Sequence, residues 1–159
     1  MEKKTFPKNT TTIWQRPSVV SLLVDTGAWY AITDTADRHH KEASRFFLDQ
    51  APKTNLVTTD LILAETWTLL NSHLGRYSAV TFWETLRETI TPILTIDPVD
   101  LEAAWRISQA FPDQTFSFVD CTNFALMERL GINEAFAFDA HFLTYRYGPK
   151  KQHVFRCLP

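Results

Sequence analysis

The chain has 159 residues, an apolar content of 45% and a net charge of -2, all of which are ordinary for one globular domain. No apolar run approaches the roughly 18 residues of a membrane-spanning helix. Cys121 and Cys157 lack the spacing of a metal or redox motif, and two cysteines do not make a disulfide framework. These totals exclude a membrane-spanning protein and favour a cytoplasmic protein with reduced thiols.

The charge is unevenly distributed along the chain. Residues 1–16 carry four basic residues and one acid, and residues 146–159 carry four basic residues and no acid. The segment between them therefore holds 8 basic and 17 acidic residues. An acidic body with basic ends is compatible with a cation in the middle and a polyanion at the ends. We interpret residues 1–17 as a flexible basic leader and residues 18–159 as a single domain.

Predicted strands alternate with predicted helices along the chain. Residues 19–24 are apolar on both faces, which is typical of a buried parallel strand. Further strands are predicted at residues 55–59, 93–96, 135–138 and 153–157. Helices are predicted at residues 26–32, 39–50, 60–74, 77–91, 99–110 and 118–130, with one more helical turn after Asp139. This order predicts an α/β fold with a mainly parallel sheet covered on both faces.

Four carboxylates stand at unusual places in this pattern. Asp25 and Asp139 each follow a predicted strand, and Asp120 begins a helix with Ser117 in the position of a capping box. Glu65 shares a helix face with leucine and isoleucine, where an unneutralised charge is costly. Three of the four have an ordinary alternative, which is a helix cap for Asp120 and Asp139 and a buried arginine partner for Glu65.

The joint pattern of these acids is more informative than any one of them. Acids that follow parallel strands meet at one edge of the sheet, where ligands bind in such folds. Carboxylates brought together repel one another unless a cation neutralises them. Oxygen ligands suit Mg²⁺ or Mn²⁺, and such an ion beside a phosphodiester is a recurring nuclease arrangement. The residues therefore predict a metal-dependent nuclease.

Four short motifs then resemble a known family. They are VDTGA at residues 24–28, AE at residues 64–65, SFVD at residues 117–120 and FDAHF at residues 138–142. In this order they resemble the PIN-domain family, and most of all the VapC-type toxin ribonucleases of toxin–antitoxin pairs. The resemblance covers residues 18–157. It implies a three-layer α/β/α sandwich, a metal-dependent endoribonuclease that uses Mg²⁺ or Mn²⁺, a homodimer, and a small antitoxin protein bound near the active cleft.

The resemblance also assigns roles by position. One departure is Gly27, where the family often has serine, and this removes a polar contact without removing a ligand. In the expected mechanism Asp25 and Asp120 bind one ion, and Glu65 binds it directly or through water. Asp139 orients outer water molecules or helps to hold a second ion. In chain order the four acids are Asp25, Glu65, Asp120 and Asp139, and the supporting hydroxyl residues are Thr26 and Ser117.

RNA also requires cationic contacts, which the acidic body lacks. The basic residues near the end of the chain are candidates for phosphate binding, and a solvated surface is an equally compatible interpretation. Histidines, among them His141, are assigned to loop and surface positions. The predicted RNA-binding residues are Arg146, Lys150, Lys151 and Arg156.

Two other classes of function are compatible with acids at strand ends. One is a metal-dependent phosphatase or phosphoryl-transfer protein, although a haloacid-type phosphatase requires an aspartate where this chain has Gly27. The other is a non-catalytic RNA-binding module that kept a PIN-like fold. The complete set of acids argues against the second alternative.

Overall fold

The fold is built on a five-stranded sheet in which all neighbouring strands are parallel. The computed structural model describes residues 21–89 and 91–159, so the predicted leader lies outside the described residues. The strands are β1 (Ser21–Val24), β2 (Asn55–Thr59), β3 (Ile93–Leu94), β4 (Glu134–Phe136) and β5 (Arg156–Leu158), in the spatial order β3-β2-β1-β4-β5. The chain first builds outward from β1 to β3 and then returns to place β4 on the other side of β1. The strand order therefore reverses between β1 and β4.

Helices flank this sheet and follow the strands along the chain. α1 packs against α2 and α3, α3 packs against α4, and α5 packs against α6. Among the described residues, no helix has the length and apolar character needed to cross a membrane. The helices are α1 (Thr26–Thr33), α2 (His40–Gln50), α3 (Asp60–His73), α4 (Arg76–Glu88), α5 (Pro98–Ala110), α6 (Phe118–Leu130) and the short α7 (His141–Thr144).

Several predicted strand boundaries are wrong, and two of the differences follow from contacts with other elements of the fold. β3 stops at Leu94 because the backbone N–H of Ile96 turns toward α3 and donates to the Asp60 carboxylate, at 3.1 Å. β5 starts at Arg156, three residues after the predicted start of the last strand, because it pairs with β4 in a register that sets Cys157 beside Ala135. β4 ends at Phe136, two residues earlier than predicted.

Gly75 also has a different role from the predicted one. It does not end α3, which stops at His73 with Leu74 as its C-cap. It precedes α4, and its φ of +84° is a conformation that glycine adopts without strain. The glycine therefore permits the sharp turn between two helices that pack against each other.

α6 is buried along most of its length, and this burial fixes the position of Asp120 in its first turn. Every side chain from Asp120 to Met127 is buried. Phe124 stacks on Tyr145 with 4.4 Å between ring centroids and meets Phe142 edge-on at 5.3 Å. A helix buried on all sides has little freedom to shift, because close packing leaves no space for it. Asp120 therefore projects from a rigid support.

A buried ion pair joins the start of α5 to the end of α6. Asp100 is 1% exposed, and Arg129 donates to its two carboxylate oxygens at 2.7 and 2.6 Å. Burial alone raises the pKa of Asp100, but hydrogen bonds from Arg129 and from the Asp97 backbone bring it below its ordinary value. The pair holds the two helices antiparallel.

We expect Arg129→Met to destabilise the protein by about 3 kcal/mol, because it leaves the Asp100 carboxylate buried without its partner. Urea denaturation measures this change. The control is Arg106→Met, since Arg106 lies 3.6 Å from Glu102 with both side chains 66% exposed. That exposed pair contributes at most about 0.5 kcal/mol. Equal losses in the two variants contradict the prediction.

Candidate metal centre

Asp25 directly follows β1, the central strand of the sheet, and is the N-cap of α1. Its backbone N–H donates to the Phe136 carbonyl of β4 at 3.1 Å, and its Oδ2 accepts from the N–H of Gly27 at 3.4 Å. The start of α1 is further fixed because Trp29 Nε1 donates to the Thr58 hydroxyl of β2 at 3.1 Å. The acid is therefore held between β1 and β4, where the strand order reverses and ligands bind in parallel sheets.

The Asp25 carboxyl is buried, and no cationic side chain of the described residues pairs with it. It is 4% exposed, and burial, followed by the negative charges of Asp139 and Asp120, raises its pKa to about 8. A Cβ atom at Gly27 would lie 3.8 Å from Asp25 Oδ2, which is ordinary contact. The glycine found where the family often has serine therefore leaves the geometry of Asp25 unchanged.

Asp120 is oriented by the predicted capping box. The backbone N–H of Ser117 donates to Asp120 Oδ2 at 2.7 Å, and the N–H of Asp120 donates to Ser117 Oγ at 3.0 Å. The same Oδ2 lies 2.9 Å from Nδ1 of His141. Asp120 thus lies in the first turn of α6, at the helix N-terminus, with its carboxylate held on two sides.

Asp139 and His141 complete a compact group with Asp120. The His141 backbone N–H donates to Asp139 Oδ1 at 2.9 Å, and its Nδ1 lies 3.9 Å from the same oxygen. Partial burial and the charge of Asp120 raise the pKa of Asp139. The Asp139 side chain is 40% exposed, so it forms the solvent side of the group. One ligand atom from each of the three residues lies within 4.8 Å of the others.

Glu65 reaches the site through Thr26. The Thr26 hydroxyl donates to Glu65 Oε2 at 2.6 Å, and Thr26 follows Asp25 directly. The alternative of a buried arginine partner for Glu65 is wrong, because no arginine of the described residues forms an ion pair with it. Glu65 lies outside the compact group of Asp120, Asp139 and His141.

Two residues at this site were missed by the sequence reasoning. His141 was assigned to a loop or surface position, yet its ring contacts two of the predicted acids. Its position two residues after Asp139, within FDAHF, was the available signal. The second is Cys157 on β5, which pairs with Ala135 of β4; burial, followed by the charges of Asp139 and Asp25, raises its thiol pKa to about 11. No sequence signal placed Cys157 there.

The chemistry of the donor set fits a hard divalent cation. Among residues 21–89 and 91–159, no lysine or arginine forms an ion pair with any of the four acids. Asp120, Asp139 and His141 each offer one ligand atom that lies within 4.8 Å of the others, and these residues would hold the cation. Carboxylate oxygens with one imidazole suit Mn²⁺, and the oxygens alone suit Mg²⁺.

Two of the four predicted RNA-binding residues line one cleft. Arg146 and Lys151 line the same cleft beside α5. Lys150 is exposed in the adjoining loop. Arg156 lies on β5 and pairs with Glu134 at 3.2 Å.

Comparison with known proteins identifies the fold family. The model of the PIN domain matches residues 22–146, which is most of the chain. The protein belongs to the PIN-domain family. The 23S rRNA-specific endonuclease VapC20 of Mycobacterium tuberculosis, strains CDC 1551 / Oshkosh and H37Rv, is 34% identical over 121 residues, which cover 76% of this chain and 91% of VapC20.

Solved structures agree with the PIN-domain assignment. The crystal structure of M. tuberculosis VapC20, described as a sarcin–ricin loop cleaving toxin, superimposes with a TM-score of 0.69 and 32% identity. It covers 75% of this chain and 90% of that one. PAE2754 from Pyrobaculum aerophilum shares the fold with a TM-score of 0.55 and 20% identity, over 87% of this chain and 89% of its own.

These findings confirm three predictions, namely the PIN-domain family, the α/β sandwich with a parallel sheet, and a metal-dependent ribonuclease. The phosphatase alternative is set aside by the family. The assignment of individual acids to the metal, and of basic residues to RNA, stays a prediction.

Proposed function

We propose that this PIN-domain protein is the toxin of a toxin–antitoxin pair and cuts ribosomal RNA at a sarcin–ricin-type loop. The observation that carries the proposal is the convergence of Asp120, Asp139 and His141 beside the buried Asp25, where the strand order reverses. The substrate is suggested by the similarity to VapC20, a 23S rRNA-specific endonuclease.

The acids have different roles in holding Mg²⁺ or Mn²⁺. Asp25 and Asp120 bind the ion directly, because both are buried and both are fixed by backbone N–H groups. Glu65 binds directly or through water, and the exposed Asp139 contacts outer water molecules or a second ion. His141 offers one nitrogen ligand beside Asp120. The pKa of Asp25 is high because of its burial and because of repulsion from Asp139 and Asp120, and a cation held here would offset that repulsion.

The protein's own groups then prepare the phosphodiester for cleavage. A divalent cation in such a site lowers the pKa of bound water and stabilises the charge that develops on the phosphate. The Glu65 and Asp139 carboxylates accept hydrogen bonds from the attacking water and orient it. The hydroxyl of Thr26 and the N–H of Ser117 fix two carboxylates in place, so the site requires little rearrangement during the reaction.

The partners follow from this function. A toxin that cuts ribosomal RNA acts in the cytoplasm, where ribosomes are, and requires an inhibitor in the cell that makes it. We assign that role to a small antitoxin protein that covers the acidic cleft, and we assign a homodimer as the active form.

A cleavage assay with and without metal tests the proposed function. End-labelled RNA that contains a sarcin–ricin loop is incubated with the full chain in EDTA, and then with Mg²⁺ or Mn²⁺ added in excess. We expect one cut in the loop with either metal and none in EDTA. The matched control is an RNA of the same composition with the loop sequence scrambled.

Each other outcome removes a defined part of the proposal. Equal cutting in EDTA excludes the metal mechanism. Absence of cutting in both metals excludes the ribonuclease. Equal cutting of the scrambled RNA leaves the ribonuclease in place and excludes the sarcin–ricin loop as its specific target.

A further inference from the structure

A second concave site lies beside the metal centre. It is a cleft of about 550 Å³ between α5, α6 and the loop that follows α7. This volume is within the ~300–1,000 Å³ range of pockets that hold small ligands. Its lining combines positive charge with aromatic rings, contributed by Arg106, Arg146, Lys151, Phe111, Tyr145 and Tyr147.

The cleft and the metal centre share a wall. The pairing of Asp100 with Arg129 makes α5 and α6 antiparallel, so the end of α5 lies near the start of α6, where Asp120 is found. Phe116 bridges the two sites, because its ring lies 5.5 Å from the ring of His141 and 5.9 Å from that of Phe111. One aromatic ring therefore separates the cleft from the acids.

The positive charges of the cleft are largely unneutralised. Arg146 donates only to backbone carbonyls, those of Leu143 and Tyr145. Among the described residues, Arg146 and Lys151 form no ion pair with a carboxylate. The one acid in the lining, Glu128, accepts a hydrogen bond from the hydroxyl of Tyr145. The cleft is thus a positive site within an acidic body.

Lys151 is held over an aromatic face by an unusual backbone conformation. Its ammonium lies 4.4 Å from the centroid of the Phe111 ring. Its φ is +50°, in the left-handed region that residues with a Cβ rarely adopt. The conformation is closed by the Lys151 N–H, which donates to the Gly148 carbonyl at 2.9 Å. Backbone strain of this kind concentrates at ligand-binding positions.

We propose that the cleft binds an unpaired nucleotide of the RNA substrate, next to the phosphodiester that the acids cleave. The base stacks on Phe111 in place of the Lys151 ammonium, which turns outward so that Lys151 and Arg146 contact the phosphates on either side of the base. Aromatic faces combined with cations are the means by which proteins hold single-stranded RNA. An acidic peptide would use the cations but would gain no stacking from the ring. This inference rests on the proposed ribonuclease function.

RNA binding by an inactive protein tests the cleft independently of cleavage. The full chain with Asp25→Asn is titrated into a fluorescent 12-nucleotide single strand, and anisotropy gives the dissociation constant at several salt concentrations. In this background we expect Lys151→Gln and Arg146→Gln each to lower the salt slope by about 0.7, as the loss of one phosphate contact does. Phe111→Leu keeps an apolar side chain and is expected to weaken binding about tenfold.

The controls isolate the cleft from general charge effects. Arg87→Gln removes an exposed charge from α4 and is expected to leave the salt slope nearly unchanged. A fully paired duplex of the same sequence is expected to lose no affinity with Phe111→Leu, because its bases are not free to stack.

The inference is overturned if Lys151→Gln, Arg146→Gln and Phe111→Leu leave the affinity for the single strand and its salt slope as they are in the Asp25→Asn protein. This holds even when the wild-type protein cleaves RNA. It is also overturned if an acidic peptide of equal charge binds and responds to the same variants while RNA does not. Binding in the cleft by a protein that cleaves no RNA supports the inference and contradicts the proposed ribonuclease instead.

Discussion

Asp25→Asn and Asp120→Asn proteins are each expected to fold normally and to cut RNA on the order of a thousandfold more slowly than the wild type. Each substitution keeps the size of the side chain and removes one negative charge from the point where the cation binds. Asp25 is an N-cap, and asparagine caps a helix as well as aspartate does, so α1 is preserved. Single-turnover cleavage of labelled RNA measures the loss.

The matched control is Asp49→Asn, an identical change at an exposed carboxylate that pairs with Lys53 on the surface. It is expected to cut RNA at the wild-type rate, and circular dichroism checks that all variants fold. Glu65→Gln is expected to lose less, about 10–100-fold, since glutamine still accepts the hydrogen bond from Thr26. Wild-type rates in the two aspartate variants, with the fold intact, contradict the assignment.

The metal-free protein is expected to lose stability as the pH rises from about 4 to about 8. In the folded state Asp25 keeps its proton up to a pKa of about 8, whereas the unfolded chain releases it near 3.8. Between these values the native state binds more protons than the unfolded state, so the free energy of unfolding falls as the pH rises. The contribution of Asp25 is on the order of 5 kcal/mol. The raised pKa of Asp139 acts in the same direction.

Urea denaturation in EDTA at pH 5, 6.5 and 8 measures this slope. Asp25→Asn removes the ionisable group, so the variant is expected to be more stable than the wild type at pH 8 and to depend less on pH. Added Mn²⁺ is expected to stabilise the wild type more at pH 8 than at pH 5, because the cation favours the ionised carboxylate. Parallel pH profiles for wild type and Asp25→Asn exclude the buried, repelled carboxylate.

The two predictions describe one property of the site. A carboxylate that destabilises the metal-free fold and is required for cleavage is kept for its chemistry and not for stability. Asp25→Asn is therefore expected to raise the stability of the metal-free protein at pH 8 and to slow cleavage on the order of a thousandfold. A residue with only a structural role loses both together.

Much of the fold was predictable because its signals are local. β2 and α6 match their predicted ranges, and α6 lies between two local signals, the Ser117 N-cap and the Gly131 C-cap. The boundaries that failed depend on distant partners. β3 ends where the backbone N–H of Ile96 donates to the Asp60 carboxylate, and β5 begins where its backbone pairs with β4. The residues of the two strands themselves carry no signal for either contact.

The candidate metal centre also combines features that have local sequence signals with features that depend on tertiary contacts. The local sequence predicts an acid after β1 and another in the first turn of α6, because strand ends and capping boxes have short-range patterns. Tertiary contacts are needed to bring His141 to Asp120, to hold Glu65 by Thr26, and to place Phe116 between the acids and a basic cleft. Residues far apart in the chain meet only after the sheet has set the strand order. The chemistry of each residue is local, whereas its neighbours are a property of the packed fold.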